Sequence, residues 1–201
     1  MTTAKDLFII AMDTRPEHAV GQGDLSLALA GAELVDLIGA GAVAVDGDRI
    51  VPGGPPMPGD RLLDEAAAVL TRQAPYEPIE DWLWRRGRDL AAVYQAALEE
   101  DGELTRKRSS RLSFGSERVE PVDTLGRRRA ADRWAEKEPV LTALASVVGI
   151  DGGRTDGERG LDDEAVTTVL AAVHDAVMEL EAVRQRRTIE NAAFANIWRA
   201  P

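Results

Sequence analysis

The feature that most constrains this chain is its C-terminal stretch. From Asp162 to Ala200 it contains neither glycine nor proline, while Val166, Val169, Leu170, Val173, Val177 and Leu180 recur at intervals of three and four. That spacing lays an apolar stripe along one helical face, and the lack of breakers predicts one long helix, or two meeting near Arg187 and Thr188.

The rest of the chain supplies further helices. Asp6 to Asp13 reads as a short helix, and Asp24 is placed to cap a second that runs through Leu25, Leu27, Leu29, Leu34, Leu37 and Ile38 until Gly39 and Gly41 stop it. Val43-Ala44-Val45 and Arg49-Ile50-Val51 alternate about Asp46-Gly47-Asp48, a turn that favours φ above zero, so a hairpin is expected over 43–51. Helix and hairpin together have the outline of a winged-helix unit. After the loop Pro52 to Pro58, Asp60 should cap a helix over Arg61 to Leu70, with Leu63, Ala66, Ala67 and Leu70 as its buried stripe. A turn at Pro75 to Pro78 leads to Trp82 and Trp84, and Asp89 to Glu100 gives another helix. Glu103 to Phe114 reads as a second hairpin or irregular strand pair, followed by helices over Thr124 to Glu136 and Pro139 to Val148 and a Gly/Asp loop from Asp151 to Gly160. The expected fold is therefore mainly α: a single globular helical domain over 1–201 with one or two short β-hairpins.

Charge and residue types narrow the chemistry. There is no cysteine, so disulfides, thiol nucleophiles and cysteine-held metals are excluded, and a reducing cytoplasm is the expected compartment. Leu7 to Met12 is too short an apolar run to span a bilayer. A net charge of −11 repels phosphate backbones, so no nucleic-acid partner is expected, and any anionic surface must be met by a local basic patch. The two histidines, His18 and His174, sit in no metal or triad motif. Paired acids at Asp64-Glu65, Glu80-Asp81, Glu99-Glu100-Asp101 and Asp162-Asp163-Glu164 read as helix-start and solvated acids. Asp151 to Gly157 lacks the glycine placement and closing glutamate of a calcium loop, and neither phosphate-loop motif is present. No catalytic residue, metal or cofactor is expected. What remains are arginines: 21 of the 24 basic residues, gathered as Arg85, Arg86 and Arg88; Arg106, Lys107, Arg108 and Arg111; Arg127, Arg128, Arg129 and Arg133; and Arg184, Arg186 and Arg187. Most such clusters in an acidic protein form salt bridges, but the first stands beside Trp82 and Trp84, a pairing suited to a phosphate-bearing interface.

Taken in order, Leu7-Phe8-Ile9-Ile10-Ala11-Met12, Leu29-Ala30-Gly31-Ala32-Glu33-Leu34 with Gly41 before a hairpin, Pro58-Gly59-Asp60-Arg61-Leu62-Leu63-Asp64-Glu65-Ala66, Leu98-Glu99-Glu100-Asp101-Gly102-Glu103-Leu104 and the arginine-rich helix around Arg127 to Arg133 resemble the Golgi phosphoprotein 3 family. The Arg and Ala bias points to a bacterial member with a GC-rich genome, such as an actinobacterium's. The resemblance implies a mainly helical fold with a β-hairpin that mediates oligomers, and a non-enzymatic adaptor that binds phosphatidylinositol 4-phosphate. The family's lipid-binding tryptophan and three arginines fall on Gly21, Ala30, Arg88 and Ala91, so Arg88 alone keeps its residue type.

The expected function is a cytoplasmic adaptor, peripheral on the inner membrane surface, that meets an anionic, phosphoinositide-like phospholipid or a protein partner through a face of Trp82, Trp84, Arg85, Arg86 and Arg88. A homo-oligomer through the 43–51 hairpin is a further expectation. The competing readings are a winged-helix-like DNA-binding regulator, disfavoured because residues 24 to 51 hold Arg49 against five acids, and a protein-interaction module with no lipid binding.

Overall fold

In this computed structural model the described residues are 2–13, 20–54, 59–108, 117–150 and 163–197. They form α1 (Thr3–Asp13), α2 (Gln22–Gly39), β1 (Val43–Asp46), β2 (Arg49–Pro52), α3 (Arg61–Ala68), α4 (Ile79–Arg86), α5 (Leu90–Glu100), β3 (Leu104–Arg108), β4 (Glu117–Pro121), α6 (Leu125–Ala135), α7 (Pro139–Val147) and α8 (Glu164–Ile197). His18, the far end of the Pro52 to Pro58 loop, Arg111 and the Asp151 to Gly160 loop lie outside the described residues.

The fold is mainly α, built around α2. No residue from Gly23 to Ile38 is exposed, and α2 packs against α1, α3, α4, α5, α7, α8 and β1. A helix apolar on every side belongs in a core, and this one carries Leu25, Leu27, Leu29, Leu34 and Leu37 with alanines between them. The winged-helix reading is corrected here, because a helix covered on all sides has no face to lay in a groove. Across α2 runs α8, unbroken at Arg187 and Thr188, with Val169 and Val173 fully buried. Gly31 permits the crossing: a Cβ there would stand 2.2 Å from Val173 Cγ2.

Two helix starts show how local chemistry and packing divide the work. Asp60 caps α3 as expected, its Oδ1 accepting from the Leu62 and Leu63 N–H groups at 3.1 and 3.3 Å. Helix α2 instead starts after Gly21 with no side-chain cap, because Asp24 lies inside the first turn and its carboxylate is bound by Arg184. Of the expected α3 stripe Ala66, Ala67 and Leu70 are buried, while Leu62 takes the inward place expected of Leu63, which is only half-buried.

The first hairpin matches its expectation, pairing Val43 with Pro52 through Asp46 with Arg49 about Gly47 at φ 59°. The outer edge of β2 is taken by the chain itself: the Ile50 N–H donates to Glu77 O and the Ile79 N–H to Asp48 O, both at 2.9 Å. The second hairpin is wider than expected. Leu104–Arg108 pairs with Glu117–Pro121, a returning strand whose Val119 packs on the core beside α1.

Most of the arginine clusters tie elements together. Arg127 bonds Asp13, Arg128 bonds Asp123, and Arg129 and Arg133 both bind the fully buried Asp6, clasping α6 to α1. Arg106 pairs with Glu99 at 2.9 Å.

Candidate functional site

Helix α4 turns Ile79, Trp82 and Leu83 inward, which dismantles the expected five-residue face. Trp82 is fully buried and its indole N–H donates to Ala30 O at 3.3 Å, so it cannot seat a membrane interface. Arg86 follows it inward and forks onto Glu33 at 2.7 and 2.8 Å; Glu33 is itself fully buried and accepts the Tyr94 hydroxyl at 3.1 Å. Arg85 is half-exposed but bidentate to Glu77 at 2.7 Å, with its guanidinium 5.2 Å from the Trp82 ring centroid. Trp82 and Arg86 are therefore corrected from ligands to framework, while Arg85 stays exposed in its ion pair with Glu77. The physical reason is helical phase: with Trp82 and Leu83 in the core, Arg86 is carried in with them and needs a buried carboxylate.

Arg88 and Trp84 differ. Gly87 ends α4, and Asp89 adopts a left-handed φ of 56°, which Asp tolerates better than most residues, before α5 begins. That turn leaves Arg88 exposed, with no ion pair among the described residues, on the wall of an open cleft of about 440 Å³. Gln22, Gly23 and Ser26 from the first turns of α2 line the same cleft, together with Trp84 and Leu180. The first-turn N–H groups of α2 bring partial positive charge to the same place. Asp24, in the first turn of α2, is ion-paired with Arg184, while the exposed Asp89 is one of the residues lining the cleft.

The positions implied by family resemblance fall unevenly. Gly21 caps α2 next to the cleft, whereas Ala30 and Ala91 are buried in the core, and the Ala91 N–H donates to Ser26 Oγ at 3.0 Å. Leu180 and Arg184 were not in the expected site, although a signal existed: 173, 177, 180 and 184 continue the α8 stripe, which predicts that Arg184 faces the body of the protein.

Burial also perturbs acids on α2. Burial pushes the Glu33 carboxyl up from its ordinary value against the pull of Arg86 and Tyr94, and burial beside Glu33 drives the Tyr94 hydroxyl well above its usual value. Asp36, one turn further, is pushed up to about 6 by burial, only partly opposed by hydrogen bonds from Thr3 and Ala4. A second cleft of about 260 Å³ between the β1–β2 turn and α8 is lined by Asp48, Glu80, Asp175 and Glu179. Among the described residues, no group of acids or histidines is arranged to hold a metal ion, and no helix is long and apolar enough to cross a membrane.

Comparison with curated proteins finds no match. The sequence model of the family described as Golgi phosphoprotein 3 (GPP34) matches residues 4–190, so the residues lining both clefts lie inside the match. With that extent of agreement, over a helical fold of the kind the motifs implied, the chain belongs to the Golgi phosphoprotein 3 family.

Proposed function

We propose that this protein is a non-enzymatic peripheral adaptor that docks on anionic lipid, a phosphoinositide-like phosphate entering the cleft between α2, the α4–α5 turn and α8. The observation that carries the reading is Arg88, exposed and unpaired among the described residues on a concave wall, with Trp84 beside it and the start of α2 opposite. A guanidinium fork suits phosphate oxygens, and an aromatic next to it suits the apolar boundary of a headgroup layer. Ser26 already accepts a backbone N–H, and the cleft wall includes no histidine, so binding fits this cleft better than bond-making.

Flotation with phosphatidylcholine vesicles, with and without phosphatidylinositol 4-phosphate, tests the reading at low and moderate salt. Wild type is expected to float with the phosphoinositide and less so as salt screens the contact, and Arg88→Ala to lose most of that binding. Wild type that floats with neither vesicle, or an Arg88→Ala variant that floats as well as wild type, would sink the proposal. Protein that binds no vesicle would instead fit the reading as a protein-interaction module, which the closure of Arg85 and Arg86 by Glu77 and Glu33 favours.

A further inference from the structure

Helix α8 has two faces, and the fold uses one of them. Val166, Val169, Val173 and Val177 turn into the body. On the opposite side Ala171, Asp175, Met178, Ala182, Gln185 and Ile189 are all exposed and follow one another at alternating steps of four and three. That is the spacing of a coiled-coil seam, and its two large apolar members, Met178 and Ile189, are 56% and 69% exposed. Past Arg184 the body no longer covers the helix: every residue from Gln185 to Asn191 is exposed, although α8 runs on to Ile197. A helical stretch this short is marginal in water with nothing packed on it. The charges beside the seam are divided along its length. Glu179 and Arg186 flank it on one side, two turns apart, and neither forms an ion pair among the described residues. Glu179 also lines the second cleft with Asp48, Glu80 and Asp175; of these acids Asp48 meets Arg49, and the lining includes no basic residue.

We propose that the outward seam of α8 joins a second copy of this chain as an antiparallel helix pair, with Met178 of each copy against Ile189 of the other and Glu179 of each beside Arg186 of the other. The inference goes beyond the lipid-binding reading, does not depend on it, and uses a different surface from the 43–51 hairpin. The seam is self-complementary in this register: Ala182 meets Gln185, and the two-fold symmetry makes every contact occur twice. Arg186 of one copy then stands at the acidic cleft beside Glu179 of the other, where opposite charges fix the register. A parallel pair would set Asp175 against Asp175 within the seam and the two acidic clefts side by side, a like-charge arrangement that disfavours it. Asp175 and Gln185 interrupt the apolar contacts, trading strength for a defined register. Association on the order of micromolar is therefore expected.

Sedimentation velocity of the full chain without vesicles, from low to high micromolar protein, tests the pairing. Wild type is expected to dimerise, and Glu179→Arg and Arg186→Glu each to self-associate about tenfold more weakly, because both copies of the pair become like-charged. Mixing the two variants restores opposite charges at both places and is expected to give a heterodimer about as tight as the wild-type dimer. Wild type that is monomeric throughout overturns the inference. So do single variants that dimerise like wild type, which would move the contact to another surface such as the hairpin, and a mixture that stays monomeric. Should either variant melt early by circular dichroism, cysteines decide, since the chain has none of its own. Met178→Cys mixed with Ile189→Cys is expected to form a disulfide between the two chains on mild oxidation; no link between them, or links only within each variant, overturns the antiparallel register. If wild type is monomeric and Ile189→Glu abolishes flotation with anionic vesicles, the seam serves a membrane surface and the inference falls.

Discussion

Arg86 and Arg88 are two residues apart, on either side of Gly87, and they have opposite fates. Arg86 is closed: its fork is filled by the fully buried Glu33, which also accepts the Tyr94 hydroxyl. Arg88 is open, on the wall of a cleft with no ion pair among the described residues. Both are arginines in a short run that reads as one basic patch. The difference teaches that a cluster of charge in sequence is divided by helical phase: the residue in register with Trp82 and Leu83 becomes part of the framework, and the one past the helix end stays exposed.

The largest effect should come from breaking the closed side. Glu33→Ala leaves Arg86 buried without its partner and is expected to cost about 3–5 kcal/mol in urea unfolding, as is Arg86→Ala for the converse reason. Asp36, one turn along α2 from Glu33, sharpens the same point through pH. Burial raises its carboxyl from 3.8 to about 6 in the fold, so the native state keeps a proton that the unfolded chain has already released. Its contribution is therefore most favourable below about pH 4 and is lost as pH rises through about 6. Asp36→Asn is expected to raise stability by up to about 3 kcal/mol near pH 7–8, with the gain vanishing by about pH 4; a pH series of unfolding midpoints reads this directly.

On the open side the signature should invert. Arg88→Ala is expected to weaken vesicle binding about tenfold while leaving unfolding free energy within about 0.5 kcal/mol of wild type. The smallest effect belongs to Arg85. Its pair with Glu77 is half-exposed, so Arg85→Ala should cost at most about 1 kcal/mol and leave flotation unchanged. A loss of binding in Arg85→Ala as large as in Arg88→Ala would erase the division between framework and site.

Much of the architecture was legible in the chain. The breaker-free C-terminal stripe became α8, the alternating runs about Asp46-Gly47-Asp48 became the first hairpin, and Asp60 capped α3, because each depends on interactions within a few residues. The misplaced elements were those whose partner is distant. Asp24 looked like a cap from local spacing, but its carboxylate is claimed by an arginine 160 residues away. The return strand of the second hairpin lies at Glu117–Pro121, where Val119 meets the core.

The sequence by itself determined that this is a mainly helical chain with a long closing helix, and its ordered motifs carried the family. Periodicity, turn chemistry and capping are local, and they leave a readable trace. Only the tertiary structure decided which arginines are free, because that depends on which acid stands opposite each one: Glu77 and Glu33 close two members of the Arg85-Arg86-Arg88 run and Asp24 detains Arg184. Arg88 forms no ion pair among the described residues and lines, with Asp89, the cleft between α2, the α4–α5 turn and α8.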